Sequence, residues 1–307
     1  MNPKVILLTG ATGFIGSHLA EDLSLNNFKV IALVRNSSDL WRCKEFENSN
    51  LVYIYLNTPG FTNEIRKYNP SVLIHTAWSG IVHGREDWNA QAQNIIFSIQ
   101  MLTLANELGI KKIISLGSQS EYGNFNNKVE EASSCNPVTA YGAAKLATME
   151  IFKSFCETHS INWFWFRLFS LYGTRESDEW LIPSAINNMY YSKPMEMTAC
   201  EQRYDYMYIK DFTKAIVKVL KTESKSGVFN LSSNSSVKLK ELIEKIRAIV
   251  NPVAILNFGA LPYRPNQVMQ MEGNSTKFNK QFNFAVQSDF GDNIKEVVSY
   301  YIRKVKK

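Results

Sequence analysis

Tyr141 and Lys145 stand four residues apart in the run Y-G-A-A-K, a spacing that puts both side chains on one face of a helix. A phenol beside an ammonium suits proton transfer to a carbonyl oxygen. An unperturbed phenol has a pKa of about 10, and a neighbouring cation favours the phenolate and draws it toward working pH. Tyr206/Lys210 and Tyr300/Lys304 share the spacing, so context decides between the pairs. Only Tyr141 opens a helix announced by Asn136-Pro137, downstream of a strand that ends at Ser118.

The second constellation is T-G-A-T-G-F-I-G, Thr9 to Gly16, between the first strand and the first helix. Gly10 permits the tight turn, Gly13 lets backbone approach a pyrophosphate, and Gly16 allows close helix–strand packing. Thr12, Phe14 and Ile15 lie in the same turn, where a helix N-terminus offers free N–H groups to phosphates. Dinucleotide binding is therefore expected. NAD enzymes place an acid at the end of the second strand for the ribose 2′-hydroxyl. Here that place holds Val34, followed by Arg35, and a guanidinium pairs well with a 2′-phosphate. The expected cofactor is NADP, with NAD as the alternative.

These residues need a scaffold. Short apolar runs at 4–10, 29–35, 51–56, 71–77, 111–117 and 162–168 read as buried strands. Helical patterns at 14–26, 61–69, 88–108 and 138–159 alternate with them, which predicts an α/β fold with a parallel sheet covered on both faces. The pattern loosens over 173–210. Helices at 211–222, 237–250 and about 289–304 and a strand at 227–233 follow.

TGATGFIGSHL resembles the opening of the extended branch of the short-chain dehydrogenase/reductase superfamily, the NAD-dependent epimerase/dehydratase family. The resemblance runs along nearly the whole chain. It implies a Rossmann-type doubly wound sheet over 1–172 plus about 211–235. A smaller substrate-binding lid would comprise 173–210 plus about 236–307. It implies that Lys145 also holds the nicotinamide ribose, and that Ser118, aligned through Tyr122-Gly123, hydrogen-bonds the reacting oxygen. Asn57 would serve beside the adenine, and Ala77 in the turn His75-Thr76-Ala77-Trp78 would border the cofactor. Asn94 matches a helix asparagine of the family. Arg167 to Gly173 resembles its R-x-F-N-x-Y-G segment, with Ser170 in the asparagine's place.

Segments 202–211 and 259–269 resemble those of nucleotide-sugar 4-reductases, which act on TDP- or CDP-linked 4-keto-6-deoxysugars in surface-polysaccharide (O-antigen) biosynthesis. Arg264 is the expected diphosphate ligand, with Arg203, Ser170 and Gln119 also at the substrate. Asp205 and Asp211 are expected to brace a loop and cap the 212–222 helix. The family's dehydratases carry an acid pair after the hydroxyl residue. Gln119 and Ser120 hold those places here, and Glu121 comes one residue later, on the opposite face of an extended segment. Dehydration is disfavoured. A 4-epimerase on tightly held NAD is the alternative enzyme, and a non-catalytic dinucleotide sensor the remote one. Helices 88–108 and 138–159 are apolar around much of their surface, which suits a homodimer.

Composition sets the outer bounds. The 307 residues are 45% hydrophobic and 20% charged, an average mix for a folded protein. No apolar run reaches the ~18 residues of a membrane span, and the N-terminus shows no signal-peptide pattern, so a cytoplasmic enzyme is expected. Four scattered cysteines, without paired spacing, predict free thiols and no metal site. All four histidines are read as structural or solvated, His83 alone having a chance of touching the sugar. The net charge of +6 is concentrated at the end, where Arg303, Lys304, Lys306 and Lys307 cluster. A nucleic-acid stripe is not expected; small phosphorylated ligands are.

Overall fold

The computed structural model describes residues 4–46, 49–56, 58–264, 267–286 and 289–306. The first half alternates strand and helix: β1 (Val5–Thr9), α1 (Phe14–Leu25), β2 (Lys29–Val34), α2 (Trp41–Lys44), β3 (Leu51–Tyr55), α3 (Phe61–Arg66), β4 (Val72–His75), α4 (Trp88–Glu107), β5 (Lys112–Ser118), α5 (Ala140–Thr158) and β6 (Asn162–Leu168). Then come β7 (Ser170–Tyr172), α6 (Leu181–Tyr190), β8 (Met195–Met197), β9 (Arg203–Tyr208), α7 (Ile209–Lys221) and β10 (Gly227–Leu231). The chain closes with β11 (Ser236–Lys238), α8 (Leu239–Val250), β12 (Leu256–Phe258), β13 (Gln270–Met271), α9 (Thr276–Phe282) and α10 (Phe290–Val305).

Seven strands form one sheet in the order β10-β6-β5-β4-β1-β2-β3, all pairs parallel. This is the doubly wound α/β architecture expected from the alternating pattern. Successive residues of a strand point to opposite faces, so each strand feeds two cores. Ile6, Leu8, Val30 and Ala32 pack with α1 and α7 on one side. Leu7, Ile31, Leu73 and Ile113 pack with α4 and α5 on the other.

The chain leaves β1 toward β2 and β3, then returns to β4 on β1's other side. The crevice at this reversal, beyond the C-terminal strand ends, is where such sheets bind ligands. Gly10, Arg35, Ala77 and Ser118 all lie at or just past those ends.

The segment 173–210 is more ordered than its sequence pattern suggests. It holds α6, β8 and β9, and β9 is flanked by β7, β11 and β13. One helix cap is corrected. α7 begins at Ile209 with Tyr208 as its N-cap, so Asp211 is not the N-cap residue and lies in the first turn, where a carboxylate favours the helix dipole. Asp205 accepts from the Ser233 N–H and hydroxyl, both at 2.7 Å, and so braces a loop.

Candidate active site

The turn after β1 is built for close approach. Gly10 has φ +74, and a Cβ there would lie 2.6 Å from Thr76 Oγ1 and 2.7 Å from the Ala77 nitrogen. At Gly16 a Cβ would lie 2.0 Å from the Gly10 carbonyl oxygen, so only glycine lets α1 sit this near the turn. Gly13 is the N-cap of α1 and supplies no side-chain cap, which leaves the N–H groups of the first turn, at Phe14 and Ile15, for a ligand. Thr12 is half-buried beside them. A cradle of backbone donors that a Cβ would fill fits a dinucleotide pyrophosphate.

Arg35 is exposed just past β2, its backbone N–H donating to Ser38 Oγ at 3.0 Å. Asn57 lies outside the described residues. Ala77 donates its N–H to Thr9 Oγ1 at 3.3 Å and closes the turn from above. Asn94 is buried and engaged at both ends of its amide. Its Oδ1 accepts from the Ser79 N–H at 2.9 Å, and its Nδ2 donates to the Ser79 carbonyl at 3.0 Å. Asn94 therefore holds the β4–α4 loop, and any service to a cofactor passes through that loop.

The structure brings Ser118, Tyr141 and Lys145 together, all buried, at the C-terminal end of β5 and the first turns of α5. Thr139 caps α5 by accepting the Gly142 N–H at 3.0 Å. Burial pushes the Tyr141 phenol above its ordinary pKa, opposed by the nearby Ser118 hydroxyl and by the positive charge of Arg85. Lys145 Nζ donates to the Leu116 carbonyl at 2.8 Å and lies 3.5 Å from the centre of the Trp78 ring. Burial lowers its pKa to about 7. Lys145, the cation expected to act on Tyr141, has its Nζ 5.9 Å from the centre of the Tyr141 ring, and a second cation, Arg85, lies nearer.

Arg85 is the side chain that motif reading missed, and Trp78 was named only as the end of the turn after β4. The Arg85 guanidinium lies 4.8 Å from the centre of the Tyr141 ring and donates to Ser120 Oγ at 2.5 Å. Its carbonyl accepts the Tyr141 N–H at 3.0 Å. A lone arginine in the polar loop between β4 and α4 carries no periodic signal; only the fold places it over Tyr141.

Residues 119–121 form a single 3-10 turn, not the extended segment assumed from sequence. Glu121 still points away from the reaction face. It is fully buried and accepts from Trp165 Nε1 at 3.0 Å and Arg167 Nε at 2.7 Å. Gln119 is half-buried and donates to Ser120 Oγ at 3.3 Å. Ser170 is half-buried at the start of β7, paired in register with Tyr206.

The other expected substrate residues lie apart from this group, on β9, at the start of α6 and in the segment after β12. Arg203 is exposed and donates to the Ser236 carbonyl at 2.8 Å. Arg264 is exposed, its charge felt by Tyr204, whose hydroxyl accepts from Gln267 Nε2 at 2.6 Å. Tyr263 accepts the Glu201 N–H at 3.0 Å, and Trp180 is the exposed N-cap of α6.

His75 is buried between Thr9 Oγ1 and Ser98 Oγ, and burial lowers its pKa to about 3. His18 is likewise lowered to about 3, by burial and then Arg175. His159 is exposed, and His83 is exposed beside Glu179 at 3.3 Å. The cysteines are free thiols. Among the described residues no group of three His, Cys, Asp or Glu side chains could hold a metal ion, and no helix is long and apolar enough to cross a membrane.

A glycine cradle at the crevice of a doubly wound sheet, with Ser, Tyr and Lys converging beside it, defines an NAD(P)-dependent enzyme of the short-chain dehydrogenase/reductase type. Residues 6–232 match the NAD dependent epimerase/dehydratase family, and the chain belongs to that family. It is 26% identical over 303 residues to CDP-abequose synthase of Salmonella muenchen, covering 96% of this chain and 97% of that one. It is 25% identical over 282 residues to dTDP-6-deoxy-L-talose 4-dehydrogenase (NAD(+)) of Aggregatibacter actinomycetemcomitans, covering 87% and 98%. Among solved structures, UDP-N-acetylglucosamine 4-epimerase from Methanobrevibacter ruminantium M1, in complex with UDP-N-acetylmuramic acid, shares the fold. The TM-score is 0.88 at 22% identity, covering 99% of this chain and all of that one.

Proposed function

We propose that this protein uses NADPH to reduce the 4-keto group of a nucleotide-linked 4-keto-6-deoxysugar. One observation carries the choice of reaction: the Ser118 hydroxyl lies near enough to the Tyr141 phenol to draw its pKa down, while Glu121, the carboxylate of the adjoining turn, is committed to Trp165 and Arg167. Two hydroxyls facing one oxygen suit proton delivery to a ketone. A dehydratase would need a free carboxyl group on that face, where Gln119 and Ser120 stand.

A bound nicotinamide would supply the hydride. Tyr141 gives its proton to the C4 oxygen as negative charge develops there, and Ser118 donates a hydrogen bond to the same oxygen. Burial keeps the phenol protonated at neutral pH, so the resting form is the acid that reduction requires. The Arg85 guanidinium and the Lys145 ammonium stabilise the phenolate left behind.

Names of relatives support a nucleotide-sugar substrate: a CDP-sugar synthase and a dTDP-sugar dehydrogenase match nearly end to end. The β2 end supports NADPH, since Arg35 follows Val34 with no carboxylate at the strand end. NAD is the competing cofactor because the dTDP-sugar relative carries it in its name. On this reading 173–210 and 236–307 form the sugar-nucleotide side, with Arg203 and Arg264 at the diphosphate. The protein would be a cytoplasmic homodimer joined through α4 and α5.

The test offers NADPH and NADH with a panel of TDP-, CDP-, GDP- and UDP-4-keto-6-deoxysugars and follows the nicotinamide absorbance. Oxidation with at least one sugar, abolished in Tyr141→Phe while cofactor still binds, is expected. No oxidation with any sugar, or turnover retained in Tyr141→Phe, would overturn the reading.

A further inference from the structure

Glu121 is fully buried directly behind the reaction face. Its Oε1 accepts the backbone N–H of Ser118 at 2.8 Å and Trp165 Nε1 at 3.0 Å, while Oε2 accepts Arg167 Nε at 2.7 Å. Gly117 makes room for this. A Cβ there would lie 2.4 Å from Glu121 Oε1 and 2.1 Å from Trp165 Nε1. From the other side, Ser118 Oγ accepts the Ser120 N–H at 3.1 Å, and its hydroxyl acts on the nearby Tyr141 phenol. The last residue of β5 is thus gripped from behind through its main chain and from the front through its hydroxyl.

We propose that Glu121 is a positioning residue: its carboxylate, neutralised by Arg167, fixes the end of β5 so that Ser118 Oγ and the Tyr141 phenol meet on one substrate oxygen. The inference rests on the reading that Ser118 and Tyr141 act on that oxygen. Stability alone is a poor reason for the pair. A buried ion pair loses so much hydration that apolar residues of similar volume commonly serve the fold as well. What an apolar residue cannot supply is an acceptor for the Ser118 N–H, and a buried N–H without one relaxes or moves. Nor is Glu121 free for proton transfer, because each oxygen already accepts a bond from within the protein.

The network reaches further. Arg167 lies 4.6 Å from the centre of the Tyr122 ring, and the Tyr122 hydroxyl donates to Asn230 Oδ1 at 2.7 Å on β10. The end of β5 is therefore tied to the neighbouring strands as well as to its own turn.

The experiment replaces the pair whole, as Glu121→Leu with Arg167→Met, and compares Glu121→Gln, which keeps an acceptor oxygen for Ser118. Three readouts are taken: thermal midpoint, kcat and KM on the sugar the wild type reduces, and a crystal structure. The double variant is expected to fold with kcat lowered about tenfold to a hundredfold, on the scale of a mispositioned reacting group. Its KM and NADPH affinity should stay within about twofold, and its Ser118 Oγ should be displaced from its wild-type position beside Tyr141 by about 1 Å or more. Folded Glu121→Gln should keep kcat near wild type. Wild-type kcat in the double variant, or Ser118 unmoved in its crystal structure, would overturn the proposal. So would failure of both variants to fold, which would assign Glu121 to stability. If the wild type reduces no sugar, the proposed function fails, and the displacement of Ser118 Oγ still decides the positioning role.

Discussion

Replacing Trp78 with leucine should make Lys145 a still weaker base for protons. Lys145 is buried, and its Nζ lies 3.5 Å from the Trp78 ring centre and 2.8 Å from the Leu116 carbonyl. Burial favours the neutral amine; the ring face and the carbonyl favour the ammonium. A desolvated cation–π contact contributes about 2 kcal/mol, and one pKa unit corresponds to about 1.4 kcal/mol. From a starting value of about 7, loss of the ring should therefore lower the pKa by roughly 1.5 units. Trp78→Phe, which keeps an aromatic face, should recover most of the shift. The assay is a carbon-13 lysine NMR titration of the free protein, with Lys145→Met assigning the resonance.

The sign of the linked stability follows. Because the folded pKa lies below the unfolded 10.5, the unfolded chain binds the extra proton between about 7 and 10.5. Lys145 therefore destabilises the fold below pH 7, and that cost is relieved as pH rises through this window. Trp78→Leu should extend the window downward. A wild-type titration near 10.5, or an unchanged titration in Trp78→Leu, would refute the reasoning.

Gly16→Ala should abolish dinucleotide binding, because its Cβ would lie 2.0 Å from the Gly10 carbonyl oxygen and α1 must move outward; calorimetry with unchanged affinity would contradict this. Arg35→Ala should weaken NADPH by about tenfold or more, one charge-assisted hydrogen-bonded contact, and leave NADH within about twofold; equal effects on both would remove Arg35 from the 2′-phosphate. Light scattering at micromolar concentration should give a dimer, and Ile96→Glu with Ile99→Glu, on the exposed face of α4, should give a monomer. A wild-type monomer would count against that interface.

Much of the scaffold was legible because the buried strands are short, β-rich and bounded by turn residues. The glycine turn and the Tyr141/Lys145 pair were legible because their spacing alone implies a shared face or a close approach. The segment 173–210 was not: β9 is a run of alternating tyrosines whose partners, β7, β11 and β13, come from distant sequence. α9, seven residues long, is fixed by Phe278 and Phe282 packing under the sheet, and its own sequence carries little helical signal. At the site, sequence named the groups proposed to react and assigned no role to those that surround them. Arg85 and Trp78 reach Tyr141 and Lys145 only through the path of the β4–α4 loop. Glu121 faces inward as the sequence suggested, but through a 3-10 turn and a buried arginine, not through the alternation of an extended strand.

The most direct test of ketosugar reduction at Tyr141 is deuterium tracing. The enzyme is run on its preferred nucleotide 4-ketosugar with NADPH carrying deuterium at the transferable position of the nicotinamide, and the sugar product is isolated. Reduction predicts one deuterium at C4 and one cofactor oxidised per sugar consumed. No deuterium at C4 and no cofactor oxidised, with inversion at C4 instead when the corresponding C4-hydroxy nucleotide sugar is offered with NAD, would contradict it and mark an epimerase.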